Sequence, residues 1–478
     1  MRRAMKGQVL GAGLALAMAT SQAMAADADQ AKLDAMAQQI QALQAQVDAL
    51  RQETEAARAE LARIRGSQTP ASAPASTPAS DDVAAVAADD PSAVAASDDV
   101  AASPPAGAVA ASGGSSGTGA GDTANAFNPA ITLILNGAYT HHSRDPETYA
   151  RAGFPIVGEG GPAPQGLSLG ESEVSLAANI DDKFYGQFTM AVGSDGGKDE
   201  LGVEEAFIDT TALPKGFNLR MGRFFSNFGY LNSHHAHTDN FFDRPLAYQA
   251  FLGNQYGDDG VQLRWVAPTS VFLEFGGELF RGDRFPAGGA QHGGIGARSL
   301  FAHVGGSAGT DNEWLFGVSS LRTHAAGAED GFNGRNRLMI ADATWKWAPA
   351  GNFKDGGVTL RSEYFREIRD GLYIDPDNSA NSAPWSGTRR GAYLEAVYRL
   401  NRTWDLGYRY DRLWGDSGGP FASAFDPVRH SAELTWRNSE FSLFRLQLSR
   451  DTPDNGDRDN AVTLQYQTSL GAHGAHKF

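Results

Sequence analysis

From Ala130 to the end of the chain, apolar and polar residues alternate in short runs separated by Gly, Asn, Asp and Pro. Successive side chains of a strand point to opposite faces. Period-two alternation therefore marks strands with one face in an apolar medium and the other in a polar one. Trp404, Leu406, Tyr408 and Tyr410 alternate with Asp405, Gly407, Arg409 and Asp411. Val462, Leu464 and Tyr466 alternate with Thr463, Gln465 and Gln467, and Leu434 and Trp436 with Glu433 and Arg437. The runs place strands near Ile131–His141, Leu167–Ile180, Lys183–Val192, Leu201–Thr211, Phe217–Phe224, Gly260–Val266, Val271–Arg281 and Arg298–Gly305. Further strands fall near Glu313–Arg322, Leu338–Trp347, Val358–Arg366, Arg390–Leu400, Thr403–Leu413, Ser431–Arg437, Phe441–Ser449 and Ala461–Leu470. That is about sixteen, an even number, as a closed antiparallel membrane barrel requires.

Alternation alone does not separate a soluble sandwich, whose apolar faces form a core, from a wide barrel, whose apolar face meets lipid. The start of the chain favours the barrel. Residues 1–25 read as a secretory signal: Arg2, Arg3 and Lys6, an apolar Val9–Ala19, then Ala23-Met-Ala25 for cleavage. Aromatic residues near strand ends and the terminal Phe478 agree. The mean hydropathy of -0.35 excludes a helical membrane protein but suits a barrel, in which only alternate residues meet lipid.

Two segments precede the barrel at 128–478. Within residues 26–65, Leu33, Ile40, Val47, Thr54 and Leu61 form one seam of a heptad repeat, and Met36, Leu43, Leu50, Ala57 and Ile64 the other. A coiled coil is expected there, since a lone helix would expose that stripe to water. Residues 66–127 are rich in Ala, Pro, Ser, Asp and Gly, with too few large apolar side chains to offset chain entropy, and read as a flexible spacer. Seven of the chain's net charge of -16 come from its Asp81, Asp82, Asp89, Asp90, Asp98, Asp99 and Asp122. The acidic balance argues against a nucleic-acid partner. Cysteine is absent, which removes disulfides and thiolate metal sites.

Candidate chemistry concentrates in the connection from Phe225 to Gly260, far longer than its neighbours. Its aromatic residues Phe225, Phe228, Tyr230, Phe241 and Phe242 are costly on an exposed loop but suited to packing against a barrel wall, so it is expected to fold into the lumen. Asp239, Asp243 and Arg244 would then meet inward charges such as Arg220 and Arg264, and with Arg223 these residues form the expected constriction. His234, His235, His237 and Asp239 are candidate ligands for zinc or a similar metal; the competing reading is a polar loop whose histidines meet only water. No cofactor is expected. Catalysis is not expected either. His430 and Ser431 are adjacent on a strand and point to opposite faces, and Ser233 beside His234 has no evident orienting acid.

Four motifs resemble the phosphate-selective porin family of Gram-negative outer membranes: Leu219-Arg-Met-Gly-Arg-Phe224, Phe228-Gly229, Asp243-Arg-Pro245 and Tyr256-Gly-Asp-Asp-Gly-Val-Gln-Leu-Arg264. The resemblance covers roughly residues 130 to 478. It implies a sixteen-stranded barrel, usually a homotrimer, with a loop folded into the lumen and anion passage past Arg and Lys. The residues themselves place both signs inward: Arg220, Arg264, Arg361, Arg399, Arg409, Arg437 and Arg445 against Glu274, Glu278, Glu363, Glu395, Asp405, Asp411 and Glu433. A balanced lumen suits general diffusion as readily as an anion filter. The expectation is an outer-membrane channel for small hydrophilic solutes or inorganic ions, with anions such as phosphate among them. Its coiled coil would lie in the periplasm. The alternatives are a metal-binding outer-membrane protein assisting divalent-cation uptake, and a tether to a periplasmic partner.

Overall fold

The computed structural model describes residues 129–195, 198–289, 293–415 and 419–471. The expected signal, coiled coil, spacer and terminal Phe478 lie outside the described residues. The strands are β1 (Ala130–His142), β2 (Gly166–Leu169), β3 (Ser172–Asn179), β4 (Phe184–Asp195), β5 (Lys198–Thr210), β6 (Phe217–Phe225), β7 (Gly257–Val266), β8 (Phe272–Phe280) and β9 (Ala297–Ser307). They continue with β10 (Asn312–Ala326), β11 (Phe332–Trp347), β12 (Gly357–Ile374), β13 (Ser382–Arg399), β14 (Trp404–Trp414), β15 (Val428–Ser439), β16 (Ser442–Thr452) and β17 (Asp459–Gly471).

From β3 on, each strand pairs antiparallel with the next in sequence, and β17 returns to β1. The sheet closes. Both β2 and β3 pair with β1, through Gly137–Thr140 and Ala130–Ile134 respectively, so they share one place in the wall. Seventeen strands thus fill sixteen positions. The expected single strand Leu167–Ile180 is corrected here. Leu167 and Leu169 face outward, but after the break at Gly170 and Glu171 it is Leu176 that faces outward and Glu173 that is buried. An irregularity of this kind moves every later side chain to the other face.

The alternation resolves as expected, with the apolar face outside. Leu406, Leu434, Leu446 and Leu464 lie in register on β14 to β17, each 39–51% exposed, while Glu433, Arg445, Gln447, Thr463 and Gln465 between them are buried. Short turns (180–183, 267–271, 308–311, 400–403, 440–441) join strands at one end, and connections such as 143–165, 226–256, 281–296 and 415–427 at the other. At the short-turn end, outward aromatic rings stack across strands: Phe217 on Trp265, Trp265 on Phe275, Trp404 on Trp436, and Trp436 on Phe444. Rings with an apolar body and a polar edge gather where a bilayer meets water. No described helix is long and apolar enough to cross a membrane; the strands do so.

Leu446 sits at mid-strand, between Leu434 and Leu464. Leu446→Arg is expected to lower stability in lipid by about 2–4 kcal/mol, as for a cation at the middle of the apolar band. Urea unfolding in vesicles checks this; a cost near zero would mean that this face does not meet hydrocarbon.

Candidate functional site

The connection 226–256 lies inside the barrel and is bonded to most of its wall. Phe224, Phe228, Leu246, Tyr248, Phe251 and Tyr256 are fully buried, in one apolar cluster with Phe280, Phe365 and Leu413 of the wall. A seven-residue helix, α1 (Leu246–Leu252), follows Pro245, whose fixed φ suits a helix start. Asp411 of β14 accepts from the Leu246 N–H at 3.0 Å. Gly253, at φ 59°, ends the helix in the left-handed conformation that residues with a Cβ avoid.

The apolar cluster surrounds one buried carboxylate. Glu363 of β12 is 0% exposed. It accepts from the Tyr230 N–H at 2.9 Å, the Leu231 N–H at 3.3 Å, the Tyr248 hydroxyl at 2.9 Å and the Tyr393 hydroxyl at 2.7 Å. Gly229, at φ 71°, passes so close that a Cβ would lie 2.8 Å from Glu363 and 2.9 Å from the Tyr248 hydroxyl. Glu363 ties the start of the connection, its helix and β13 together. A second anchor is Asp243, which bonds Arg409 of β14 at 3.0 Å, Arg429 of β15 at 2.5 Å and Gln447 of β16 at 2.6 Å. Burial works against its charge, but the two guanidinium groups outweigh burial and hold the carboxyl below its usual range.

The expected constriction residues separate in space. Asp239 and Arg244 pair with each other at 3.0 Å, and Asp243 meets Arg409 and Arg429, not Arg220 or Arg264. Arg220 is taken by Asp209 at 2.8 Å, and Arg264 by Glu274 at 3.5 Å. Arg223 belongs to the outward set of β6 and pairs with Asp259 directly opposite at 2.7 Å. Sequence spacing gives the face of a strand but not which distant strand a loop residue reaches.

The expected metal residues also divide. His234 turns away: its Nδ1 bonds the Tyr230 carbonyl at 2.8 Å and its ring stacks on Tyr230. Burial, with Arg361 adding to it, drives the His234 imidazole down to about 3, so it is neutral. His235 and His237 stay together, with ring centroids 5.6 Å apart. They meet carboxylates of β3 and β5, outside the residues that the sequence marks as candidate ligands. His237 Nδ1 is 2.8 Å from Glu173, and His235 Nδ1 is 3.0 Å from Glu173 and 3.3 Å from Glu204. His235 Nε2 is 3.0 Å from Glu205. Two wall irregularities collect these acids. The break between β2 and β3 turns Glu173 inward. A register shift after Thr189, which pairs with Glu205 while Met190 pairs with Val203, leaves Glu204 as an extra residue beside Glu205. Burial opposes charge on His235, yet Glu173, Glu204 and Glu205 prevail and hold its imidazolium well above the usual range. Donor atoms of Glu173, His235 and His237 converge within 4.8 Å, as do those of Glu171, Glu173 and Glu204. Nitrogen and carboxylate donors at such spacing fit a divalent transition metal. The legible signals are Glu-Xaa-Glu at 171–173, which unbroken alternation from Leu167 and Leu169 would turn outward together, and Glu-Glu at 204–205, of which it would turn one outward.

No family model matches the chain. An uncharacterised protein of Aquifex aeolicus (strain VF5) is 27% identical over 389 residues, covering 74% of this chain and 80% of that protein. Among solved structures, the OmpF protein of Salmonella typhi in complex with daunomycin is 12% identical with a TM-score of 0.49, covering 73% of this chain and 99% of its own. An anion-selective porin from Comamonas acidovorans is 10% identical with a TM-score of 0.48, covering 72% and 99%. The trimer form of OmpT from Vibrio cholerae is 11% identical with a TM-score of 0.47, covering 72% and 100%. Likenesses this remote carry no weight beyond the barrel seen directly in the chain.

Glu363→Leu leaves three buried donors, the Tyr230 N–H and the Tyr248 and Tyr393 hydroxyls, without their acceptor, at roughly 1–3 kcal/mol each, while the Leu231 N–H keeps the Tyr248 hydroxyl at 3.0 Å. The connection is then expected to leave its seat while the ladder holds. Chymotrypsin should cut the variant, but not the parent, after Tyr248 and Phe251, which are buried in the parent. A variant as resistant as the parent would mean that Glu363 does not hold the connection.

Proposed function

We propose that this chain is a passive outer-membrane channel for small hydrophilic solutes, with its bore set by the connection 226–256. One observation carries the reading: a closed ladder with an apolar outer face encloses a polar interior into which a long segment is folded. Non-regular backbone is tolerated at that depth only inside protein or beside water. The inward charges support a pore without strong preference of sign. Arg220, Arg264, Arg361, Arg399 and Arg409 each have an acidic partner at 2.8–3.5 Å. Selective passage of anions such as phosphate draws support only from the family resemblance of the sequence. Assembly as a homotrimer, with a periplasmic coiled coil at residues 33–64, draws support from the unbroken heptads. The reading involves no catalysis.

A deletion of residues 234–240 that keeps the flanking strands should raise single-channel conductance in planar bilayers and bring reversal potentials closer to bulk mobility ratios. A folded deletion variant that conducts like the parent would place the constriction elsewhere.

The second reading, that the lumen takes up a divalent cation such as zinc, is favoured by the convergence of Glu173, His235 and His237 on one point. Between the acids, an imidazolium at His235 stands where a metal ion would serve. Calorimetry on the folded protein should show zinc binding that weakens at least tenfold in His235→Ala/His237→Ala and in Glu173→Gln. No zinc binding, or binding untouched by these changes, returns the cluster to a structural role.

A further inference from the structure

The outward face of the barrel is largely apolar, and on five neighbouring strands a run of arginines interrupts it. Arg298 on β9, Arg322 on β10 and Arg337 on β11 face outward and are exposed, and they stand directly opposite one another from strand to strand. On the next two strands Arg366 of β12 stands opposite Arg390 of β13, both outward and exposed. Like charges placed directly across a strand pair repel. Carboxylates elsewhere on the outer surface are engaged by other arginines: Asp370 of β12 by Arg335 at 2.8 Å and Asp426 of a connection by Arg412 at 2.9 Å. Among the described residues, none of the five arginines has an acidic partner.

Their level on the barrel points to what neutralises them. On β10 and β11, Trp314 and Trp345 of the short-turn end stand eight residues from Arg322 and Arg337. Eight residues span about 27 Å along a strand. With strands tilted by roughly 40°, that is about 20 Å of height, close to the thickness of the apolar band of an outer-membrane barrel. The aromatic row therefore marks one boundary of the hydrocarbon and the arginine row the other, on the side of the long connections. Leu300, Val318 and Leu394, 68%, 60% and 53% exposed, lie between them and would face acyl chains. A cation facing lipid is tolerated near the boundary and costly at mid-depth. At the boundary its neighbours are headgroups. Guanidinium groups bind phosphate through paired, charge-assisted hydrogen bonds.

We propose that the row Arg298, Arg322, Arg337, Arg366 and Arg390 binds the phosphate groups of anionic membrane lipids at the boundary on the long-connection side. The lipid supplies the counter-charge that the protein omits and fixes the height of the barrel in the bilayer. The inference rests on the barrel spanning a membrane but not on its conducting, since these side chains face away from the lumen.

Native mass spectrometry of the full-length protein in neutral detergent tests this with dioleoyl phosphatidic acid, its phosphatidylcholine counterpart and inorganic phosphate as probes. The parent should retain phosphatidic acid in preference to phosphatidylcholine, and inorganic phosphate should not displace it. The triple variant Arg298→Gln/Arg322→Gln/Arg337→Gln should bind phosphatidic acid more weakly by roughly fivefold per arginine, roughly a hundredfold in all, with unchanged single-channel conductance. Should it fail to fold, Arg366→Gln/Arg390→Gln gives the same reading with a smaller loss. Undiminished binding of phosphatidic acid in a folded variant would overturn the proposal. So would equal retention of phosphatidylcholine, or ready displacement by inorganic phosphate, which would mark a site for a free anion. Loss of lipid with altered conductance would overturn the claim that the row acts from outside the lumen.

Discussion

A backbone amide or carbonyl facing hydrocarbon has no water to bond, so a sheet that crosses a bilayer can have no edge. Everything else in this molecule follows from that constraint. Pairing of β1 with β17 over Thr132–His142 removes the last edge, and closure fixes an inside and an outside. Once those exist, strict alternation sends leucines and aromatic rings to lipid and carboxylates, amides and guanidinium groups to the lumen. The wall departs from its own rule beside the histidines, at the break at Gly170–Glu171 and at the extra residue at Glu204. Both departures serve His235 and His237.

The lumen is held by charge and by hydrogen bonds more than by apolar packing. The connection 226–256 buries aromatic rings, but its place is set by carboxylates of the wall reaching its backbone. Glu278 accepts from Asn227, Glu363 from Tyr230 and Leu231, and Asp411 from Leu246. A buried carboxylate is costly unless its donors are supplied, so each anchor is specific to the segment it holds. Most inward arginines are matched in the same way, by an acid at 2.8–3.5 Å for Arg220, Arg264, Arg361, Arg399 and Arg409, while Arg445 is held by Thr435, Gln465 and the Asp239 carbonyl. Outside, the reverse holds: among the described residues the arginine row has no acid beside it, and the counter-charge proposed for it is lipid phosphate.

The deletion of 234–240 and the change at Glu363 probe different links of one chain: which groups narrow the lumen, and what keeps them in place. Their shared premise, that this segment folds inward, was legible beforehand. Its length and five aromatic residues allowed few other placements. The histidine pair was legible as well. Its partners were not, because Glu173 and Glu204 lie inward only through irregularities that a period-two pattern conceals.

The sequence by itself determined the class of fold, the approximate count of strands, which face of most strands meets lipid, and the inward path of the long connection. Each of these depends on local alternation or on the cost of exposing apolar surface, and both can be read residue by residue. Tertiary structure alone decided the pairings: Asp243 with Arg409 and Arg429 and not with Arg220, Asp239 with Arg244, and His235 with three glutamates from two strands. It also decided that Arg298, Arg322 and Arg337 share one level. These facts depend on register between strands and on where a loop crosses a closed space. Both are set by the summed geometry of the whole wall, so no local run of residues encodes them.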